Sequence, residues 1–459
     1  MTTAVEKMQA ALRAISDHNP KVNAVVSLAN TDALLDQAHA ADQVANEDQG
    51  PLHGEPIAIK DLANAAGFET SLGSPIFKNC MVHTDDLMVA RMRAAGAIII
   101  GKTNTPEFGL GSHTFNPVHG ATGNAYDPTK SAGGSSGGAA VALAFGMVRY
   151  ADGSDMMGSL RNPAGWNNVY GMRPTWGLVP SEPRCDSFLH QLATSGPMAR
   201  CPRDLATLLS VQAGQDPRQP HGLVSANFAR DMDAYSLTGA KIAWLGDWGL
   251  PFEDGILEIS HRAVDDLRAL GADVIAIDAP FSMDALWHSW ITLRSWAVAA
   301  SSREHYDNPQ QRDLLKPAAV WEIERGLKMS AMEVHEQSVM RSLWFKKAAE
   351  LFDTFDALVM PSAQVWPFPI DWVHPSEIAG VAMDTYHRWM QVVIPAGLIG
   401  LPVVNLPIGF GHTGLPAGLQ LIGARGQDAK LLGLAQDWYE GSEWKTHSPI
   451  HLVTQSGQN

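Results

Sequence analysis

Two glycine-containing stretches, each carrying a serine, enclose one short apolar segment in the first half of the chain. The first, 133–138, reads Gly-Gly-Ser-Ser-Gly-Gly and contains Ser135, and the second, 155–164, contains Ser159. Glycine-rich backbone can approach a substrate closely. A hydroxyl that attacks a carbonyl needs a base and free backbone N–H groups. Lys60, which ends the apolar run Pro-Ile-Ala-Ile-Lys, is the candidate base.

Composition favours a large, well-buried enzyme over a nucleic-acid-binding protein. The chain has 459 residues, of which 45% are hydrophobic and 18% are charged, against roughly 25% charged residues in ordinary domains. Its formal net charge is −15, and no run of five or more Lys or Arg occurs. Because binding to a phosphate backbone needs a basic face, we expect no nucleic-acid partner.

The cysteines and the N-terminus favour a soluble, cytoplasmic protein. Cys80, Cys185 and Cys201 form no CxxC motif, and their odd number leaves one unpaired in any disulfide scheme. The first residues lack the basic and apolar regions of a signal peptide. No stretch reaches the roughly 18 uninterrupted apolar residues of a membrane span, so we expect no membrane contact.

Helical and strand-like patterns alternate along the chain. Predicted helices lie at 86–95, 136–145, 259–270 and 428–439, with two more within 5–46 that Pro20 separates. Predicted strands lie at 57–60, 97–100, 242–245, 274–277, 357–360, 403–406 and 419–422. This alternation predicts a sheet covered by helices on both faces.

Residues 280–395 differ from the rest because they are helix-rich and aromatic. Each tryptophan there has plain packing as its simplest role, but together they are also candidates for the wall of a pocket for a bulky or aromatic substrate. These residues are Trp287, Trp290, Trp296, Trp321, Trp344, Trp366, Trp372 and Trp389.

Two familiar motifs occur in unsuitable surroundings. Residues 96–103 match the phosphate-loop pattern GxxxxGK[ST], but the intervening Ala-Ile-Ile-Ile predicts a buried strand without free N–H groups. Residues 133–137 match the GxSxG nucleophile elbow, yet the preceding 126–132 are turn-like instead of an apolar strand. An α/β-hydrolase therefore stays a minor alternative. A flexible Gly/Ser linker fits poorly, because the apolar run 139–145 follows.

The stretch 133–164 resembles the defining Gly/Ser-rich motif of the amidase signature family. The spacing of the three candidate residues also matches that of the family, since Lys60 and Ser135 are 75 residues apart and Ser135 and Ser159 are 24 apart. The resemblance is dense over about 50–210, weak over about 280–395 and returns over about 396–440. Further blocks that resemble the family are 56–61, 101–108, 355–358, 400–402 and 415–423.

The resemblance implies a fold and a catalytic triad. The fold is α/β, a single large domain over 1–459 with a mixed, mostly parallel central sheet covered by helices on both faces. By position, Ser159 is the nucleophile, Ser135 is the bridging serine that follows a cis peptide bond, and Lys60 is the base. Lys60 must be neutral at rest, so burial beside apolar neighbours has to lower its pKa from about 10.4 to near 7. This also requires that Asp61 point away from Lys60, as alternation along a strand predicts.

The resemblance assigns further residues around the triad. The backbone N–H groups of Met156, Met157, Gly158 and Ser159 are expected to form the oxyanion hole. Asp155 and Arg161 are expected to brace the nucleophile loop, and Ser136 and Thr103 to support the triad from outside. The implied chemistry needs no metal and no organic cofactor.

One departure from the family lies in the oxyanion loop. The family usually has glycine where Met157 stands, and a small or β-branched residue where Met156 stands. Backbone donors survive such a change, but a loop that required positive φ at Met157 would be strained. We therefore expect an active enzyme with altered acyl-side selectivity.

These observations predict an amidase whose substrate is a small molecule, a small or aryl carboxamide. The first alternative is the glutamine-hydrolysing A subunit of a tRNA-dependent amidotransferase, which usually carries Gly-Gly in the oxyanion loop and Gln where this chain has Asn162. The second is a non-catalytic binding scaffold, which retention of Lys60, Ser135 and Ser159 disfavours. A homodimer is compatible with either enzyme.

Overall fold

Strands and helices alternate through most of the chain. The structure, a computed structural model, describes residues 2–182 and 186–449. Within them the helices are α1 (Ala4–Val22), α2 (Thr31–Ala41), α3 (Leu87–Ala94), α4 (Gly137–Ala144), α5 (Asn162–Trp166), α6 (Pro202–Gln212), α7 (Phe228–Asp231), α8 (Ile256–Ala269), α9 (Met283–Asp307), α10 (Pro309–Arg312), α11 (Pro317–Leu327), α12 (Ala331–Phe352), α13 (Ile394–Leu398) and α14 (Asp428–Gly441). The strands are β1 (Val25–Leu28), β2 (Pro56–Lys60), β3 (Ile98–Thr103), β4 (Phe115–Asn116), β5 (Gly120–Ala121), β6 (Tyr150–Asp155), β7 (Tyr170–Arg173), β8 (Thr194–Ala199), β9 (Lys241–Trp244), β10 (Asp273–Ala276), β11 (Ala357–Pro361), β12 (Glu377–Ile378), β13 (Val381–Ala382), β14 (Val403–Phe410) and β15 (Pro416–Ile422).

One sheet of eleven strands runs through the molecule in the order β1-β3-β2-β6-β8-β7-β14-β15-β11-β9-β10. The predicted mixed sheet is confirmed. The expectation that most of its strand pairs are parallel is wrong for the described residues. Parallel pairs are β2 with β3 and β6, and β9 with β10 and β11. The other six pairs are antiparallel. One reason is the short connection between β14 and β15, since a tight turn reverses the chain.

The elements predicted from periodicity are confirmed with shifts of a few residues at their ends. Pro20 does not separate two helices, because α1 continues through it and ends at Val22. The next residue, Asn23, caps the helix in a left-handed conformation (φ 53°). The separator between α1 and α2 is the short strand β1, which periodicity did not predict. Strands β6, β7 and β8 were not predicted either.

The sheet is buried on both faces, as the helix-strand alternation predicted. Along β2, Ile57 and Ile59 belong to one hydrophobic cluster and Ala58 to another, as the two-residue period of a strand requires. The second cluster contains most of α4 together with one face of α1. The apolar run 139–145 is therefore a core helix, and the linker interpretation of the preceding glycines is wrong.

The two misleading motifs behave as their surroundings predicted. Residues 98–103 form β3, which is buried and pairs with β1 and β2, so its N–H groups belong to the sheet. Residues 126–134 form turns and bridges instead of the strand that a nucleophile elbow requires. No helix in the part of the chain that the structure describes is long and apolar enough to cross a membrane. Cys80 and Cys201 are free thiols, and Cys185 lies outside the described residues.

The region 280–395 contains the long helices α9, α11 and α12, which confirms its helical character. Trp321 and Trp372 are exposed, and Trp296 borders a cavity of about 540 Å³. The other five tryptophans are core residues, so plain packing explains most of the set. They are Trp287, Trp290, Trp344, Trp366 and Trp389.

Candidate active site

The site is built at the carboxyl ends of two neighbouring parallel strands. Strands β2 and β6 pair with Ile57 opposite Tyr150 and Ala58 opposite Ala151. Because parallel strands end at the same edge of a sheet, Lys60 at the end of β2 lies beside the last residues of β6. The loop that leaves β6 leads to Ser159, and α5 begins three residues later.

The side chain of Lys60 ends among three hydroxyl groups. Its Nζ lies 2.7 Å from Ser135 Oγ, 2.8 Å from Ser136 Oγ and 3.1 Å from Ser154 Oγ, and the residue is 1% exposed. An ammonium donates three hydrogen bonds, whereas a neutral amine donates two and accepts one. Since a hydroxyl can donate or accept, the same three contacts satisfy either protonation state.

Burial lowers the pKa of Lys60 to about 7, against the opposing charges of Asp152 and Asp155. The Asp152 side chain bonds to the backbone of Lys60 and not to its amine, since Asp152 Oδ1 accepts the Lys60 backbone N–H at 2.7 Å. Burial also raises the pKa of Asp152 to about 6. The carboxylate of Asp61 is turned away, as predicted, and accepts hydrogen bonds from Ser71. Lys60 is therefore able to act as a neutral base near pH 7.

The loop that carries Ser135 contains a cis peptide bond between Gly134 and Ser135, as the family resemblance predicted. The Gly134 N–H donates to Asn162 Oδ1 at 3.2 Å, which ties this loop to the start of α5. A Cβ at Gly153 would lie 2.8 Å from Ser136 Oγ. The absence of that Cβ lets the loop settle onto β6 and bring both serines to Lys60.

The nucleophile loop has its positive-φ residue at Gly158, not at Met157. Gly158 has φ 79°, and a Cβ there would lie 2.9 Å from Val393 Cγ2. Met157 has no positive φ, so the departure from glycine does not strain the backbone. Its side chain is buried in the core, whereas that of Met156 is only half buried.

Asp155 is the centre of a buried ionic brace under this loop. Arg161 donates two hydrogen bonds to its carboxylate, both of 2.9 Å, and Arg173 approaches Oδ1 at 3.2 Å. Burial alone would raise the pKa of Asp155, but the two guanidinium groups hold it well below its usual range. The N–H groups of Gly158 and Leu160 also donate to this carboxylate, at 2.9 and 3.2 Å. The predicted bracing role of Asp155 and Arg161 agrees with this geometry.

The brace changes the expected set of oxyanion donors. The N–H of Gly158 is already bonded to Asp155, so its prediction as an oxyanion donor is wrong for this structure. The N–H groups of Met156, Met157 and Ser159 have no hydrogen-bond acceptor among residues 2–182 and 186–449. These three remain the candidate donors.

Ser159 is 6% exposed, and its hydroxyl has no hydrogen-bond partner in the described part of the chain. The hydrogen bond between Lys60 and Ser135 is present. The Ser135 and Ser159 hydroxyls are not hydrogen-bonded to each other in this structure. Catalytic hydrogen bonds are often long before substrate binds. Across the described ranges, no group of three or more His, Cys, Asp or Glu residues is placed to hold a metal ion.

Comparison with known proteins identifies the family. The profile of the Amidase family matches residues 6–432. The chain belongs to the amidase signature family. The A subunit of glutamyl-tRNA(Gln) amidotransferase from Methylobacillus flagellatus is 31% identical, over 98% of this chain and 96% of that relative.

Solved structures of amidase signature enzymes share the fold. A bacterial aryl acylamidase superposes with a TM-score of 0.91 and 28% identity, covering 98% of this chain and 95% of that one. The amidotransferase A subunit of Thermotoga maritima gives a TM-score of 0.78 and 28% identity, covering 96% and 92%.

Sequence reasoning missed several groups that this amidase signature site brings together. Ser154 and Asp152 flank Lys60, Asn162 fixes the Ser135 loop, and Arg173 completes the brace. No sequence signal marked the first two, because the polar segment 152–155 has no apolar period that would predict a strand. Thr103 pairs in register with Lys60, but its hydroxyl has no hydrogen-bond partner within the described residues.

Proposed function

We propose that the protein is an amidase that hydrolyses a carboxamide C–N bond through an acyl-enzyme on Ser159. The observation that carries this proposal is the buried Lys60 amine, whose pKa is about 7 and whose Nζ lies 2.7 Å from Ser135 Oγ. A neutral amine in that position can accept a proton that a hydroxyl gives up.

In the acylation step, Ser135 passes the Ser159 proton to Lys60 Nζ while Ser159 Oγ attacks the amide carbon. Substrate binding has to close the contact between the two hydroxyls. The N–H groups of Met156, Met157 and Ser159 face the oxygen that becomes negative, and losing one such donor costs about 2.7–4 kcal/mol of transition-state stabilisation.

The same proton then cleaves the C–N bond. Lys60, now an ammonium, returns it through Ser135 to the leaving nitrogen, which departs as a neutral amine or ammonia. Water repeats the path in reverse, since its proton goes to Lys60 as its oxygen attacks the acyl carbon, and Ser159 recovers its proton when the carboxylic acid leaves. The three hydroxyls around Lys60 satisfy both of its protonation states during this cycle.

For the substrate, we propose a small or aryl amide. Support comes from the methionines in the oxyanion loop and from the higher TM-score with the aryl acylamidase, 0.91 against 0.78 for the amidotransferase subunit. Met156 Sδ lies 3.2 Å from Nη1 of the buried Arg294. The Met156 side chain therefore occupies space that a smaller residue would leave open on the acyl side.

Glutamine hydrolysis for an amidotransferase is the second candidate. It is supported by the curated relatives, which carry that name at 30–32% identity over 94% or more of this chain. Hydrolysis assays on the purified protein, first alone and then with added amidotransferase partner subunits, separate the two candidates. Turnover of an anilide without turnover of glutamine supports the first, and glutaminase activity that needs added partner subunits supports the second.

The nucleophile is tested without knowledge of the substrate. The protein is treated with a fluorophosphonate, the adduct is mapped by mass spectrometry, and Lys60→Ala is treated in parallel. We expect labelling at Ser159 that is lost in the variant. Labelling at Ser135 that does not depend on Lys60 would contradict the triad and revive the nucleophile-elbow alternative.

Met156 and Met157 are expected to affect different properties, acyl-group selectivity for Met156 and stability for Met157, and each is tested by its own substitution. We expect Met156→Ala to change the ratio of kcat/KM between bulky and small acyl groups, by about 10-fold or more if the pocket gains the volume of a side chain. We expect Met157→Ala to lower the unfolding free energy by about 2–5 kcal/mol, because its side chain is buried in the core. An unchanged acyl profile in both variants would contradict a role for this loop in selectivity.

A further inference from the structure

A second concave site, which none of the triad residues lines, lies against the middle of α12. It is a cavity of about 580 Å³ whose walls include Arg341, Phe345 and Lys346 of α12, together with Trp176, Arg425 and the segment 398–400. This volume is within the range of about 300–1,000 Å³ that small-molecule sites occupy. Neither Lys60, Ser135 nor Ser159 borders it.

The charge of this cavity contrasts with that of the chain. The formal net charge of the protein is −15, yet none of the lining residues is Asp or Glu. Lys346 has no ion pair among the described residues. Asp428, whose carboxylate interacts electrostatically with Arg425, already accepts hydrogen bonds from Thr175 N and Oγ1 at 2.8 and 2.5 Å.

Arg341 is the clearest sign of a missing partner. It is half buried, and its guanidinium makes no hydrogen bond or ion pair with any residue in 2–182 or 186–449. The remaining residues of the chain contain no Asp or Glu. The arginines that are fully buried among the described residues, Arg161, Arg173 and Arg294, are each paired with a carboxylate. Burial lowers the pKa of Arg341, with no opposing charge nearby, so an anion in the cavity would stabilise its charged form.

Aromatic groups form another part of the wall. Trp176 is half buried and packs against His221 with ring centres 5.4 Å apart. Phe345 is 40% exposed on the α12 side. Flat aromatic faces favour stacking with a ring, while guanidinium groups favour carboxylate or phosphate oxygens.

We propose that this cavity binds a small aromatic anion, a ring that carries a carboxylate or a phosphate group. Arg341 binds the anionic group with help from Arg425 and Lys346, and Trp176 contacts the ring. This site is independent of the proposed amidase activity.

The test is a titration calorimetry series on the full chain at physiological salt, with benzoate, phenyl phosphate and inorganic phosphate as probes. We expect at least one aromatic anion to bind more tightly than inorganic phosphate, and the better one identifies the anionic group. We expect Arg341→Gln to weaken that binding about tenfold or more. Lys347→Gln, on the same helix but outside the cavity lining, is the matched control and should change affinity less than twofold.

Thermal unfolding of each variant shows that it is folded, and Arg341→Gln removes no hydrogen bond or ion pair within the described residues. Trp176→Leu should weaken the aromatic probes while leaving inorganic phosphate unchanged. Equal affinity for all three probes would overturn the aromatic part of the proposal. Absence of saturable binding at millimolar probe, or binding that survives Arg341→Gln, would overturn the site itself.

Discussion

Two buried lysines stand on neighbouring strands of the sheet, and their side chains have different kinds of partner. Lys60 ends β2 among three serine hydroxyls. Lys102, on β3, donates to the Ala63 carbonyl at 2.6 Å and to Thr70 Oγ1 at 2.9 Å, and lies 3.4 Å from Asp61 Oδ1. Burial lowers the pKa of both, and for Lys102 Asp61 opposes this.

The difference lies in what the partners can do with a proton. A carbonyl and a carboxylate only accept hydrogen bonds, so they favour Lys102 as an ammonium. Hydroxyls can reverse their direction, so those around Lys60 tolerate the loss of a proton. Burial alone therefore does not create a general base. A base also needs partners that do not fix the charged form.

The largest expected effect separates the two lysines by substitution. Lys60→Met should lower kcat/KM by about 10²–10⁴-fold, because it removes the proposed general base. Lys102→Met should instead lower the unfolding free energy by about 3–5 kcal/mol, because Asp61 loses its buried partner. Kinetics and denaturant unfolding on both variants measure this. The comparison fails if Lys102→Met loses activity while keeping its stability.

The next effect comes from giving Lys60 the kind of partner that Lys102 has. Ser154 borders a cavity of about 290 Å³, so Ser154→Asp can place a carboxylate beside the amine. An opposite charge in contact raises the pKa of a lysine by about 1–3 units. Activity at pH 7 should then fall by about 5- to 500-fold, as the neutral fraction of Lys60 falls, and recover at higher pH. Ser154→Asn is the uncharged control, and a pH profile that is the same in both variants would contradict the argument.

The three triad positions were predictable because a long motif and its spacing determine them, and Ile57 and Ile59 predicted the burial of Lys60. Ser154 and Asp152 were not, since the segment Asp-Gly-Ser-Asp at 152–155 has no apolar period. It becomes a buried strand only through long-range pairing with β2 and β8. Arg173 likewise reaches Asp155 by tertiary packing, and the antiparallel majority of the sheet depends on which distant strands meet.

A smaller effect concerns the pH dependence of the native enzyme. In the proposed mechanism Lys60 acts as a base when neutral, so kcat/KM should fall about tenfold per pH unit below a pKa near 7. The Asp152 carboxylate raises that pKa, so Asp152→Asn should move the acid limb to lower pH. The amide oxygen of Asn still accepts the Lys60 N–H. A limb that moves to higher pH, or stays in place, would show that Asp152 does not set the charge of Lys60.

The smallest expected effect comes from removing one hydroxyl without adding charge. Ser154→Ala leaves Lys60 with Ser135 and Ser136, so the amine keeps an acceptor and a donor partner but loses its third hydrogen bond. A typical hydrogen bond contributes about 0.5–1.5 kcal/mol, which corresponds to a 2- to 13-fold loss in kcat/KM. Each protonation state loses one hydrogen bond, but the bond that the ammonium donates is charge-assisted and stronger, so the charged state should suffer more. The acid limb should therefore shift slightly to lower pH, in the opposite direction to Ser154→Asp. A shift of both variants in the same direction would mean that volume at position 154, and not hydrogen bonding, controls Lys60.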